Sequence, residues 1–215
     1  MIKLIIFDYD GVIVDSFPTV HKVYQKICKK LGKDCPSNLQ KFKNIYGYNS
    51  RDLAKNLGFS EGDLKKADAV YREEIVTMNP ALFDGIRDTI GRLKEKYKLV
   101  LISSSPRLEV MHKLNNYKIS NFFDLIFASD ETMPMRKPRA IKESLEKLVI
   151  KPAEAIMIGD RTIDFNEAVE AGLPSANILL VDYGWGYDSS KIPEYKPKMI
   201  IRKPIDILDA IAKLN

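Results

Sequence analysis

Two short acidic segments, each directly after an apolar run, are the residues most able to do chemistry in this chain. Asp8-Tyr9-Asp10-Gly11 follows Lys3-Leu4-Ile5-Ile6-Phe7, and Asp160 follows Ala155-Ile156-Met157-Ile158-Gly159, with Asp164 four residues further on. Between them, Lys98-Leu99-Val100-Leu101-Ile102 runs into Ser103-Ser104-Ser105-Pro106, and a lysine stands in Arg136-Lys137-Pro138. Carboxylates at the ends of buried strands are costly unless something pairs with them. A divalent cation and a transferring phosphoryl group would supply that partner, so the pattern points to Mg²⁺-dependent phosphate transfer.

The roles follow from the residue types. Asp8 is the candidate nucleophile, since a carboxylate can attack phosphorus and divide one hard displacement into two easier ones. Asp10, two residues on, is the candidate general acid to the leaving oxygen and then base to the incoming water. Ser103 and Ser104 are candidate phosphate-binding residues, with a hydroxyl and backbone N–H groups gathered at an expected helix N-terminus. Lys137 would neutralise the phosphoryl oxygens and Asp8. Mg²⁺ wants near-octahedral oxygen ligands and keeps several waters. Asp8, Asp10 through its backbone carbonyl, and Asp160 would supply three. Asp164 would act through water or by orienting Asp160 or Lys137. Each feature also has an ordinary reading: a turn after a strand for Asp8 and Asp10, a helix cap for the serines, a solvated loop lysine for Lys137, and the N-cap of a helix over 164–171 for Asp164.

The elements that must position these residues are legible as alternating patterns. Short Ile- and Leu-rich runs suit strands buried on both faces. Strands are expected at 2–8, 98–103, 125–128, 155–159, 177–182 and 198–201. Helices are expected at 87–97, 107–116, 138–149, 164–171 and 205–213. Residues 16–80 differ in texture. Val20, Val23, Tyr24, Ile27, Cys28 and Leu31 fall at helical spacing before Gly32, and three more helices are expected at 37–46, 50–57 and 60–78. The expectation is an α/β fold, a doubly wound parallel sheet built from 1–15 and 81–215, with a small all-helical insert at 16–80. In such sheets ligands bind outside the carboxyl ends of the strands, where Asp8, Ser103 and Asp160 all fall.

Composition narrows the classes. The 34 basic and 29 acidic residues give +5, with no long basic run, so a nucleic-acid partner is not expected. Only Cys28 and Cys35 are present, at a spacing that matches neither a redox motif nor a zinc site, so reduced thiols in a cytoplasmic protein are expected. The N-terminal apolar run of Leu4 to Phe7 is too short for a signal peptide, and no stretch approaches the roughly 18–20 apolar residues of a membrane helix. Oligomeric state is left open.

In order and spacing these segments resemble the haloacid dehalogenase superfamily of phosphotransferases. Asp8 through Ser16 resembles its first motif, Ser103 its second, Lys137 its third, and Gly159-Asp160 through Asp164 its fourth. Phe122-Phe123-Asp124 and the Ala168, Gly172-Leu173-Pro174 segment resemble recurrent spacer features. The place of the 16–80 insert is similar to the helical cap of the phosphoglycolate phosphatase and β-phosphoglucomutase branch. The resemblance implies phosphate esters as substrates, since dehalogenases and phosphonatases of the superfamily lack an aspartate at the position of Asp10. It implies a small phosphorylated metabolite, with substrate choice made in the cap, where Arg51 beside Gly47-Tyr48-Asn49-Ser50 is a candidate contact for a second anionic group. The mutase branch carries a cap histidine soon after the first motif. Here position 20 is valine and His21 stands one place off. A phosphosugar mutase and a non-catalytic binding protein are the alternatives to a phosphatase.

Overall fold

The structure is a computed structural model and describes residues 1–46, 50–130, 135–186 and 201–215. The chain divides into two compact units, one of residues 1–15 and 81–215 and one of residues 16–80.

The larger unit begins with β1 (Leu4–Asp8), every residue of which is buried, and a two-residue strand β2 (Val14–Asp15). The helical unit follows with α1 (Phe17–Leu31), α2 (Leu39–Tyr46), α3 (Ser50–Asn56) and α4 (Glu61–Thr77). The chain then re-enters the larger unit through β3 (Ala81–Leu82), α5 (Ile86–Lys94), β4 (Lys98–Pro106), α6 (Arg107–Asn116), β5 (Leu125–Ser129) and α7 (Lys137–Leu148). It ends with β6 (Ala155–Gly159), α8 (Thr162–Glu170), β7 (Ile178–Leu180) and α9 (Asp206–Ala212).

Among the described residues the main sheet runs β5-β4-β1-β6-β7, and every pairing in it is parallel. Period-two alternation sends its side chains into two cores. Ile5, Phe7, Leu99, Leu101, Ile156 and Ile158 pack with Ile86, Ile90, Val110, Leu114 and Ile207 from α5, α6 and α9. Leu4, Ile6, Val100, Ile102 and Met157 pack with Ala140, Ile141, Leu145 and Ala168 from α7 and α8. This is the doubly wound arrangement, and it explains why the strands carry unbroken apolar runs: both faces are covered. The chain leaves β1 toward β4 and β5 on one side, then crosses to β6 and β7 on the other. The strand order therefore reverses at β1, and the crevice for a ligand opens at the carboxyl ends of β1 and β6.

Two details depart from the sequence expectation. β4 does not end at Ser103 but runs on through Pro106, with a register shift against β5 between Ile102 and Pro106. β2 and β3 form an antiparallel pair, Val14 opposite Leu82 and Asp15 opposite Ala81, which runs too short to leave a periodic signature. Of the last expected strand, Ile201 makes a parallel bridge to Val181, and 198–200 lie outside the described residues. The start of β5 is pinned by Asp124, whose carboxylate accepts from the Leu99 amide at 2.9 Å and from the Lys94 and Lys98 ammoniums at 2.7 and 3.0 Å.

The helical unit is held by aromatic contacts. Phe42 is fully buried and lies against Phe17, His21, Tyr24 and Tyr46 at ring-centroid distances of 4.6 to 6.2 Å. The expected helices are all present. α1 ends at Gly32 as the sequence indicates, and α4 is capped by Ser60, whose hydroxyl accepts from the Asp63 amide while Asp63 accepts from the Ser60 amide.

One core feature is electrostatic. Glu109 and Lys113, on one face of α6, are 3% and 1% exposed and form an ion pair of 2.5 Å. Burial pushes the Glu109 carboxyl up to about 7, with Lys113 opposing and the charge of Asp10 adding to the rise. Breaking a buried pair costs more than the pair is worth, because the survivor is stranded. Lys113→Met should therefore lose about 3–5 kcal/mol in urea unfolding at pH 8. The double variant Glu109→Leu/Lys113→Met should recover most of it. A single variant as stable as the double would show that Glu109 has another partner.

Candidate active site

β1 ends at Asp8 because its next step leaves the apolar core. Asp8 lies opposite Ile102 of β4, and Phe7 opposite Ile158 of β6, so the chain segments after β1, β4 and β6 emerge side by side. Asp8 is buried, and its Oδ1 lies 2.9 Å from the Lys137 ammonium. Lys137 opens α7, one residue ahead of the proline, and is itself buried. It also donates to Oδ1 of Asp164, so that one ammonium bridges two carboxylates from opposite sides of the strand reversal.

Asp164 is not an N-cap. α8 starts at Thr162, which puts Asp164 at its third residue, and the carboxylate turns back so that Oδ2 accepts from the amides of Asp160 and Arg161 at 3.2 and 3.0 Å. Both of its oxygens are thereby occupied. Asp160, fully buried, differs: Oδ2 accepts from the Gly186 amide at 2.8 Å, while Oδ1 has no hydrogen-bond partner among the described residues. Oxygens of Asp8, Asp160 and Asp164 lie within 4.8 Å of one another.

Such an assembly is electrostatically incomplete. Three carboxylates converge, and the Lys137 ammonium pairs with two of them, Asp8 and Asp164. Burial pushes the Asp8 carboxyl up to about 7, against the pull of Lys137 and with a further push from the charges of Asp164 and Asp10. Burial raises Asp160 well above the ordinary range, with Asp164 and Asp8 adding to it and Arg161 and the Gly186 amide opposing. Burial would lower Lys137, but Asp164 and Asp8 outweigh it and hold the ammonium protonated. An orphaned buried carboxylate oxygen beside two more carboxylates fits a hard divalent cation, which prefers oxygen ligands.

Asp10 stands outside this acidic group. Its carboxylate accepts from the Ser105 hydroxyl at 2.8 Å, a contact between residues 95 positions apart that no local pattern announces. The tight turn after it depends on Gly11, at φ +81°, where a Cβ would lie 2.1 Å from Oδ2 of Asp160. Ser103, fully buried, follows the residue that faces Asp8, and its hydroxyl oxygen accepts from the Ser105 amide at 3.0 Å. The expectation of a helix N-terminus at Ser103 and Ser104 is corrected: the serines belong to the extended end of β4, and α6 begins at Arg107 after Pro106. Any anion site there is made by strand-end hydroxyls and amides. Ser104 is exposed, and its carbonyl accepts from the Ser129 hydroxyl at 2.8 Å. Arg51 lies exposed in α3 of the helical unit, and Gly47, Tyr48 and Asn49 fall outside the described residues. His21 is buried, stacks on Phe42 at 4.6 Å and meets the Pro36 carbonyl through Nε2 at 2.6 Å.

A doubly wound sheet with an acidic group at its strand reversal defines a class, and the class is shared. The chain belongs to the haloacid dehalogenase-like hydrolases, whose family model matches residues 5–178. Over 99% of its length and 98% of the relative's it is 26% identical to a phosphoglycolate phosphatase of Synechococcus elongatus. It is 24% identical to the pyrophosphatase PpaX of Bacillus mycoides, over 100% of this chain and 99% of that one. A haloacid dehalogenase-like family hydrolase from Streptococcus pneumoniae superposes with a TM-score of 0.82 at 28% identity, covering 98% of both chains. No described helix is long and apolar enough to cross a membrane.

Proposed function

We propose that this chain is a cytoplasmic, Mg²⁺-dependent phosphatase that hydrolyses a small phosphate monoester through an aspartyl-phosphate intermediate. The observation that carries the reading is the meeting of Asp8, Asp160 and Asp164 within 4.8 Å, with the Lys137 ammonium on Asp8 and Asp164 and one buried oxygen of Asp160 unpaired among the described residues. The names of the phosphoglycolate phosphatase and pyrophosphatase relatives support phosphate as the group transferred.

In this reading Asp8 attacks phosphorus with one oxygen as the ester oxygen departs. Asp10, steered by Ser105, gives that oxygen its proton and later takes one from the water that releases Asp8. Lys137 and the Ser103–Ser104 strand end hold the phosphoryl oxygens. Asp8, the backbone carbonyl of Asp10 and Asp160 would hold Mg²⁺. Asp164, with both oxygens engaged, fixes Lys137 and the turn that carries Asp160. The cation, when bound, offsets the charge of the carboxylates and of the phosphoryl group so that the two can approach. Residues 16–80 are proposed as the cap that selects the substrate, with Arg51 as an anion contact. The packing of His21 under Phe42 and on the Pro36 carbonyl gives the mutase alternative no exposed cap histidine at that position.

The test is inorganic phosphate release from a panel of phosphoglycolate, phosphosugars, nucleotides, pyrophosphate and an aryl phosphate. Release in Mg²⁺ that falls at least about 100-fold in chelator is the expected result. No release from any compound, or release indifferent to chelator, would overturn the reading.

A further inference from the structure

The segment after β7 does something at the acidic group that its composition does not announce. Gly184-Trp185-Gly186 lacks the pattern of a dinucleotide fingerprint and invites reading as a plain loop. In the fold it touches both carboxylate-bearing segments. Tyr183 donates its hydroxyl to the Val12 carbonyl at 3.0 Å, in the turn that follows Asp10, and its ring packs edge-on against Phe83 at 4.8 Å. Gly184 is so close that a Cβ there would lie 2.3 Å from the Gly11 carbonyl oxygen and 2.6 Å from Cβ of Asp160. The Gly186 amide donates to Oδ2 of Asp160 at 2.8 Å. The Arg161 guanidinium stacks over the Trp185 ring at 5.2 Å, which fastens the same turn to the residue after Asp160.

Resting on the phosphatase reading, we propose that Tyr183–Gly186 is a strap that sets the separation of the Asp8–Gly11 segment and Asp160, and with it the affinity of the site for Mg²⁺. The physical case is geometric. Asp8 ends β1 and Asp160 directly follows the neighbouring β6, so from there on the two segments leave the sheet and lose the ladder that fixed their spacing. The strap replaces the ladder with one hydrogen bond to each side. It also chooses which oxygen of Asp160 is used, because the Gly186 amide occupies Oδ2 and leaves Oδ1 without a partner among the described residues. A carboxylate oriented before its cation arrives loses less rotamer freedom on binding, the reason that outer partners of metal ligands count. The residues involved are positioning residues: none is placed on the substrate or the cation.

The experiment titrates Mg²⁺ alone into the full chain by calorimetry, for wild type, Gly186→Ala and Tyr183→Phe. At Gly186 a Cβ would meet Cγ of Arg161 at 2.2 Å and Oδ2 of Asp160 at 2.8 Å, so the variant pushes its amide off Asp160. Tyr183→Phe adds no atom and carries the test if Gly186→Ala does not fold. The expected result is a Mg²⁺ dissociation constant raised about 10–100-fold in the variants. Thermal midpoints should lie close to wild type, and the lost turnover should return as Mg²⁺ is raised, with kcat near wild type at saturation. Affinity unchanged in both variants, or turnover that no Mg²⁺ concentration restores, would overturn the strap. Failure of the underlying reading looks different. A wild type that binds Mg²⁺ but releases no phosphate removes the phosphatase and leaves the strap to be judged by the titrations alone. A wild type that releases phosphate without binding Mg²⁺ removes both.

Discussion

Asp8→Asn should abolish turnover, by about 10⁴–10⁶-fold in kcat, while making the metal-free protein more stable at pH 8. The two halves have one cause. The site holds a carboxylate whose proton affinity burial has raised to about 7, so at pH 8 the ionised form is present at a cost to the fold. Asparagine keeps the shape and removes the charge, and Lys137 retains Asp164 as its partner. An amide has no anionic oxygen with which to displace the ester oxygen, so no covalent intermediate forms. Asp10→Asn would remove only a proton shuttle and should cost less, about 10²–10⁴-fold. Single-turnover kinetics on an aryl phosphate, beside thermal unfolding of the stripped proteins, measure both halves. Undiminished turnover in a folded Asp8→Asn protein would remove Asp8 as nucleophile. Lower stability than wild type would show that the Lys137 pairing outweighs the cost of burying the charge.

Mg²⁺ should stabilise the protein strongly at pH 8 and weakly at pH 5. The native carboxyls of Asp8 and Asp160 hold protons more tightly than they would in the unfolded chain. A group whose folded value is raised favours the folded state at low pH, and that advantage is lost as pH rises from the unfolded value of about 4 toward the folded value. For Asp8 the window closes at about 7. The metal-free protein should therefore lose stability between pH 4 and 7, and Glu109, raised to about 7, adds to the slope. Ligation needs the ionised carboxylates, so Mg²⁺ competes with protons at low pH and is unopposed at pH 8. At 100 times its dissociation constant it should contribute about 2.7 kcal/mol. For a domain of this size that is roughly a 5–11 °C rise in thermal midpoint. The slope due to Glu109 should survive saturation with Mg²⁺, because that residue lies on α6 and is not one of the carboxylates that would hold the cation. Equal Mg²⁺ shifts at pH 5 and pH 8, or no shift at either, would contradict the cation site.

These expectations draw on two kinds of information. The apolar runs at 4–7 and 155–159 could only be strands covered on both faces, and each ends next to an aspartate, since a charge cannot continue such a strand. Strand and helix alternation after residue 80 made the sheet parallel, and parallel sheets put their ligands at carboxyl ends. Asp8 and Asp160 could therefore be named from the chain alone, Lys137 only through the resemblance to the family, and the structure brings them together with Asp164. Local patterns misled where a residue type has two uses. The serines after Ile102 have the composition of a helix cap, but pairing with β5 resumes at Pro106 and keeps the segment extended. Asp164 has the type of an N-cap, but α8 starts two residues earlier and its carboxylate folds back to the turn.

What the amino-acid order determined by itself is which groups are expensive to bury and on which kind of element they stand, because burial and periodicity act over a few residues. Only the tertiary structure decided which of those groups meet. Ser105 reaches Asp10 across 95 residues of chain and Gly186 reaches Asp160 across 26, and neither separation carries a signal in the sequence. The first contact exists because the strand order places β4 beside β1 and the second because it places β7 beside β6, and the free energy that selects this order is spread over two cores rather than written at any one position.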